Sequence, residues 1–424
     1  MISLAPSSAA DDSFAIVHYD VRVEPDVANG LVAGSETISV RFADRQGGLV
    51  TLNRGTLTID AIEASGRPLP FETDTASVRI SVPPSSRETV RRITIRYHGT
   101  PASGLVFVPE REQLYTVFST SQWMPAIDSP EARATLRLQL VVPRDWTAVA
   151  SGRQRSRRHV TGASDLIEWQ QERAVPSYTF GFVAGRFTTH TERAGGVTLR
   201  YLASVTDAGN LGLVFRESPR ILTFFEDRSG MPYPGTEYTQ ALVARTAGQE
   251  MAGLSIVSEE YGRAVAANPM AVGLLAHELA HQWWGNTVTC RAWTEFWLNE
   301  GFATFMAAAY REHRFGREVY LQDIASLRER YKQVVERGHD GPLVFASWAR
   351  PTADDRTLVY QKGALLLHEL RELLGDERFW LGIRQYTRKY AGKAVTTADF
   401  QAAMEEASAR DLREFFTQWA YPGR

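Results

Sequence analysis

The sequence predicts a multidomain α+β protein, with an antiparallel β domain over residues 1–189 and a mainly helical domain over 190–424. Three observations carry this expectation. Apolar and polar residues alternate with a period of two through the first ~190 positions, and the period changes beyond them. The length of 424 residues also asks for two or three domains at roughly 100–200 residues each.

In the first half, the stretches Tyr19 to Val23, Thr37 to Phe42, Val78 to Val82, Ile93 to Tyr97 and Leu136 to Leu140 all alternate as half-buried strands do. Turn clusters such as Pro83-Pro84-Ser85-Ser86 and Arg45-Gln46-Gly47-Gly48 separate them. The basic run Arg153 to Arg158 falls between two strands and reads as a solvated hairpin tip. Past ~190, strand-like pieces at Val197 to Leu202, Gln240 to Ala244 and Leu254 to Val257 mix with helical stretches, and from Asn268 onward helices dominate. No fixed-period repeat or low-complexity tract occurs.

Composition removes several function classes. With 47 basic against 49 acidic residues, the chain lacks the basic excess that non-specific nucleic-acid or anionic-membrane binding requires, so neither is an expected partner. No apolar run approaches the ~18–20 residues needed to span a bilayer. The start at Met1-Ile2-Ser3-Leu4-Ala5-Pro6 lacks a basic segment followed by an apolar one, which makes a cytoplasmic location the expectation. The single cysteine, Cys290, allows no intrachain disulfide or thiolate cluster and reads as a small buried hydrophobe. Any metal must therefore be held by histidine and carboxylate.

The strongest chemical signal is His277-Glu278-Leu279-Ala280-His281. Asn268-Pro269 upstream offers a cap and a first-turn proline, and Gly285-Asn286 offers a stop, so the five residues are expected inside a helix. Positions i and i+4 share a helix face, so both imidazoles can reach one ion with Glu278 beside it as a general base. The pentapeptide alone also arises by chance. Glu300, on a second helix that Thr294 could cap, adds a carboxylate. Two imidazoles and one carboxylate leave a fourth position for water, the arrangement of a catalytic zinc site.

The segment His277 to Asn286, followed by Leu298-Asn299-Glu300-Gly301-Phe302-Ala303, resembles the aminopeptidase N family of gluzincin zinc metallopeptidases, which also contains leukotriene-A hydrolase. Tyr360-Gln361-Lys362-Gly363-Ala364 is similar to the family segment whose tyrosine stabilises the tetrahedral intermediate. Gly248-Gln249-Glu250-Met251 is similar to the exopeptidase segment whose glutamate grips the free amino group. Pro125 to Pro130 and Pro176 to Phe187 resemble landmarks of the family's N-terminal β domain, and Leu412 to Tyr421 resembles the end of its thermolysin-like catalytic domain.

The resemblance implies one Zn2+ held by His277, His281 and Glu300, with Glu278 and Tyr360 catalytic. It implies substrate contacts from Glu250, Gln249 and Gly248, and from Gln122 in place of the family glutamine facing the first side chain. The expected activity is removal of the N-terminal residue from peptides with a free amino terminus. An endopeptidase, an epoxide hydrolase and a silent binding or scaffold protein would share the metal set or the fold. Met251 stands where the family has asparagine, which implies altered specificity. Members continue past this point into a helical domain that roofs the cleft. A chain ending at Arg424 is expected to leave the site open, with apolar surface exposed, or to be covered by self-association.

Overall fold

The structure, a computed structural model, describes residues 14–85, 89–160, 162–204, 207–246 and 248–421. The starting segment at Met1 to Pro6, Ser86, Ala247 and the terminal Arg424 lie outside the described residues.

Each alternating stretch of the first half lies inside a strand. Phe14–Asp26, Leu31–Phe42, Val90–Gly99, Arg133–Pro143 and Ser164–Pro176 belong to one eight-stranded sheet. Their inward residues, among them Val21, Ile38, Ile93, Ile95 and Leu138, are fully buried. A three-stranded sheet that includes Gly48–Asn53 and Ser77–Val82 adds Val50, Leu52, Val78 and Ile80 to the same apolar core.

Two local expectations need correction. The large sheet is not wholly antiparallel, because Phe14–Asp26 runs parallel to Arg133–Pro143. These strands are separated by more than a hundred residues, so no tight hairpin forces them to oppose. The basic run is no tip either: Arg153–His159 is itself an edge strand, exposed along its length and paired with Ser164–Pro176. At an edge, both faces can stay solvated, and arginine there blocks further pairing.

A five-stranded mixed sheet follows, in the spatial order Phe187–Ala194, Val197–Ser204, Glu237–Val243, Leu254–Ser258 and Gly248–Met251. The 189/190 division falls within its first strand. This sheet is the middle layer, because a period of two sends alternate residues to two different cores. Ala241 and Val243 join the apolar core of the β half, while Tyr238 and Leu242 join the helical core. The sheet therefore fixes the β half against the helices. Its last strand, Gly248–Met251, is an edge strand held in a hairpin to Leu254–Ser258 by the turn at Gly253, whose φ of +77° suits glycine.

Three helical elements carry the remaining chemistry: Gly273–Ala280, Trp297–Phe315, and the π-turn Leu358–Lys362 leading into Gly363–Leu374. Asn268 does act as a cap, accepting from the Met270 N–H at 3.0 Å, but it caps a short 3-10 turn that precedes the helix. Thr294 does not cap the second helix. It lies inside the 3-10 turn Trp293–Glu295, which feeds directly into Trp297–Phe315. No helix among the described residues is long and apolar enough to cross a membrane. The exposed large apolar side chains include Leu49, Leu213, Leu321 and Leu381, which belong to separate elements.

Candidate metal centre

The helix Gly273–Ala280 places His277 one turn before His281, and Trp297–Phe315 packs along it with Glu300 in its first turn. The three donors converge. His277 Nε2 lies 3.1 Å from His281 Nε2 and 3.2 Å from Glu300 Oε2, and His281 Nε2 lies 3.4 Å from that same oxygen. These separations match the edge of a tetrahedron around one divalent cation, which is about 3.3 Å for bonds of ~2.0–2.1 Å. His281 Nδ1 faces the Trp284 carbonyl at 3.1 Å, an acceptor that puts the ring proton there and leaves Nε2 free to bind. Thr304, one turn beyond Glu300, lies 3.4 Å from His277 Nδ1. Sequence reasoning missed Thr304, although the i+4 spacing from Glu300 was available.

Burial opposes charge on His281, yet the carboxylates of Glu300 and Glu250 outweigh it and push the imidazole upward. Burial likewise opposes the charge on Glu300, and His281 more than offsets it, holding that carboxyl below its usual range. A bound cation would take the place of this shared proton.

Glu250 and Glu278 complete the cluster, their carboxylates and His281 lying close enough to share one small volume. Both are buried, and burial raises both above the usual carboxylate range. Each also keeps one buried oxygen without a partner, Glu250 Oε1 and Glu278 Oε2. Orphaned acceptors inside a folded protein are rare and are costly unless something donates to them. Here they border the ligand set, which fits a site that receives a cation, a water and a cationic group.

Gly248 and Gln249 act through these two acids. A Cβ on Gly248 would overlap Glu278 Oε1, so the edge strand lies in close contact with the carboxylate of Glu278. The Gln249 side chain donates to Glu250 Oε2 at 2.6 Å and to the Glu250 carbonyl at 2.9 Å, which leaves Oε1 as the open position. Behind the strand, Gln282 closes the arrangement by accepting from Gly253 N–H at 2.9 Å and donating to the Met251 carbonyl at 3.0 Å. Met251 itself turns away, its sulfur 3.2 Å from Thr116 Oγ1 in the β half.

Tyr360 arrives from the π-turn. Its ring stacks on His277 at 5.9 Å between centroids and 8° between planes. Desolvation, reinforced by Glu300, Glu250 and Glu278, holds its phenol well above the ordinary value, so it remains a donor. Turns of this π type recur at functional sites, where the extra residue re-aims a side chain.

Gln122 is not brought to this cluster. Its amide occupies the space beside Gly55, and its stem packs against Gly104, both in the β half. Four residues earlier, Phe118 stacks on Tyr178 at 5.8 Å and meets Phe296 edge-on at 6.2 Å. Tyr178 in turn accepts from Asn299 Nδ2 at 2.9 Å, immediately beside Glu300. Phe118 holds φ at +47°, a backbone choice that the sequence does not announce.

Two family descriptions match the chain in tandem, the Peptidase M1 N-terminal domain over residues 16–179 and the Peptidase family M1 domain over residues 214–419. The chain belongs to peptidase family M1. Among the relatives of this M1 chain, aminopeptidase N of Lactococcus lactis subsp. lactis is 26% identical over 96% of this chain and 51% of the relative. Glutamyl aminopeptidase of Sus scrofa is 24% identical over 95% of this chain and 47% of the relative. The chain thus spans about half the length of the curated relatives it matches. An M1 zinc metallopeptidase from Deinococcus radiodurans shares the fold, with a TM-score of 0.81 at 24% identity over 96% of this chain and 94% of that one. Yeast LTA4 hydrolase does so with a TM-score of 0.84 at 18% identity, over 99% and 70%.

Proposed function

We propose that this chain is a zinc-dependent aminopeptidase that hydrolyses the first peptide bond of substrates with a free N-terminus. The curated M1 relatives are named as aminopeptidases, and the donor set of His277, His281 and Glu300 suits Zn2+. The observation that carries the exopeptidase reading is the buried, unpartnered Oε1 of Glu250, fixed by Gln249 within the cluster that holds the ligands. A carboxylate in that position rewards a substrate ammonium, while a blocked terminus leaves it unpaired.

When bound, the zinc supplies Lewis acidity that polarises the scissile carbonyl and activates water. Glu278, held one residue from His277 and clear of the ligand set, takes a proton from the attacking water and delivers it to the leaving amine. Tyr360 donates to the carbonyl oxygen as negative charge grows on it, a contact worth ~3–4 kcal/mol by comparison with other oxyanion donors. The edge strand Gly248–Met251 offers unpaired backbone groups along which an extended peptide can lie. In this reading residues 1–189 form the β unit that walls the amino-terminal end of the cleft, residues 190–424 carry the chemistry, and free peptides are the partners.

The test is a panel of amino-acid arylamides, free and N-acetylated, with and without a chelator. Turnover of the free forms alone, lost on chelation and restored by zinc, supports the proposal. Equal turnover of acetylated forms would instead make the chain an endopeptidase. In parallel, His281→Ala should lose zinc while Glu278→Ala retains it.

A further inference from the structure

A cavity lies beside the hairpin that carries Glu250, with Ala252 and Gly253 in its wall. It has a volume of about 620 Å3 and sits between the strand Ser164–Pro176, the segment 233–237 and the residues following His281. None of His277, His281, Glu300, Glu250, Glu278 and Tyr360 lines it. Three arginines do, Arg133, Arg153 and Arg173. Among the described residues none of the three is paired with a carboxylate. The two acids in the wall are already engaged with other arginines, Glu172 with Arg155 and Glu237 with Arg200.

Arg133 is the most telling. It reaches from the β half across to the segment after the metal helix, donating to Thr289 Oγ1 at 2.8 Å, to the Asn286 carbonyl at 2.8 Å and to the Ala174 carbonyl at 3.1 Å, all of them neutral acceptors. Its Nε is buried and has no partner. Arg173 spends one donor on the Pro234 carbonyl at 2.8 Å, and Arg153 stands exposed at the rim. Burial, with Arg173 repelling it from nearby, brings Arg133 down to about 10, so it stays cationic at neutral pH without an anion beside it. A buried charge without a counter-charge is strongly unfavourable, and planar guanidinium forks match oxyanions two oxygens at a time. The volume falls within the ~300–1,000 Å3 range of small-molecule sites and far exceeds the needs of a halide.

We propose that this cavity binds a small-molecule oxyanion, a carboxylate or a phosphate, on Arg133, Arg153 and Arg173, at a site distinct from the metal centre. The bound anion supplies the missing counter-charge and braces the β half against the segment after the metal helix. Because Asn286 and Gln282 hold the Met251 carbonyl from this side, the site adjoins the support of Glu250's strand.

The test uses the zinc-loaded protein and the probes succinate, inorganic phosphate and chloride at matched ionic strength, with calorimetric titration and thermal unfolding. One succinate or phosphate per chain is expected, with a rise in Tm of several degrees that chloride does not reproduce. Arg153→Gln/Arg173→Gln should weaken that binding by about tenfold or more and leave arylamide turnover without added anion unchanged. Because both positions are exposed, folding should survive, and Arg153→Gln alone should show a smaller loss in the same direction. Binding of succinate only assigns a carboxylate ligand, and binding of phosphate only assigns a phosphate. Failure of both probes below about 10 mM, or undiminished binding by the double variant, would overturn the proposal; the second result would place the anion on the metal.

Discussion

Gly301 and Gly363 meet so closely that a Cβ on Gly301 would lie 2.9 Å from the Cα of Gly363. One glycine follows the ligand Glu300 and the other closes the π-turn that carries Tyr360. Their contact brings the helix of Glu300, the proposed metal ligand, close against the turn of Tyr360, the proposed oxyanion donor.

Gly301→Ala should therefore separate the two elements. Overpacking of this kind costs ~1–3 kcal/mol, and a displaced Tyr360 should lower kcat by about tenfold or more with a smaller effect on KM. Zinc content should stay near one per chain, because Glu300 remains on its own helix. Steady-state kinetics with elemental analysis checks this, and unchanged kcat would mean that Tyr360 is positioned by other contacts.

Gly248→Ala tests the approach of the edge strand to the general base. The added methyl would overlap Glu278 Oε1, so either the strand or the carboxylate must move. Turnover should fall by about tenfold or more while zinc is retained, as for Glu278→Ala in kind but not in degree. A variant with wild-type kcat would show that the carboxylate has room to move without loss.

For Gln249 the expected readout is selectivity. Its amide holds Glu250 Oε2 at 2.6 Å, and Gln249→Leu removes that hold without touching the metal set. KM for free-amine substrates should rise by about fivefold to tenfold, a loss of ~1–1.4 kcal/mol in ground-state binding. Glu250→Ala should go further and abolish most of the preference for a free over an acetylated terminus. Equal discrimination by Glu250→Ala and wild type would remove this residue from amine recognition.

Stability should carry a pH signature far from the centre. Glu36 faces the core of the large sheet, 1% exposed, with neither carboxyl oxygen partnered. Burial raises its pKa well above the ordinary value of 4.5. The folded protein thus keeps a proton that the unfolded chain releases near pH 4.5, and stability falls as pH rises from there toward the folded pKa, by at most ~1.4 kcal/mol per pH unit. Glu36→Gln has no proton to lose. Its Tm advantage over wild type should be small at pH 4 and grow steadily to pH 7, and parallel Tm curves would show that Glu36 acquires a partner in solution.

Much of the centre was legible because its ligands obey local rules. His277 and His281 are spaced for one helix face, and Glu300 follows on the next helix. The alternating strands of the β half were legible for the same reason, since a period of two is written residue by residue. Gln122 shows where such reasoning stops. Its position along the chain said nothing about where its side chain would pack, and the fold directs it toward Gly55 and Gly104. Phe118, which does meet the aromatic side chains near Glu300, depends on a left-handed backbone turn that composition does not reveal.

The sequence by itself determined the family, the order of β and helical halves and the spacing of His277, His281 and Glu300 that makes them the candidate metal-binding set, because helix periodicity, strand alternation and ligand spacing are local properties of the chain. Only the tertiary structure decided that Gln249 holds Glu250 with one oxygen free, that Gly248 lies against Glu278 and Gly301 against Gly363, and that three arginines from separate elements line one cavity. Those relations join residues tens of positions apart or depend on side-chain orientation. Packing of the middle sheet between two cores sets them, and no local pattern records it.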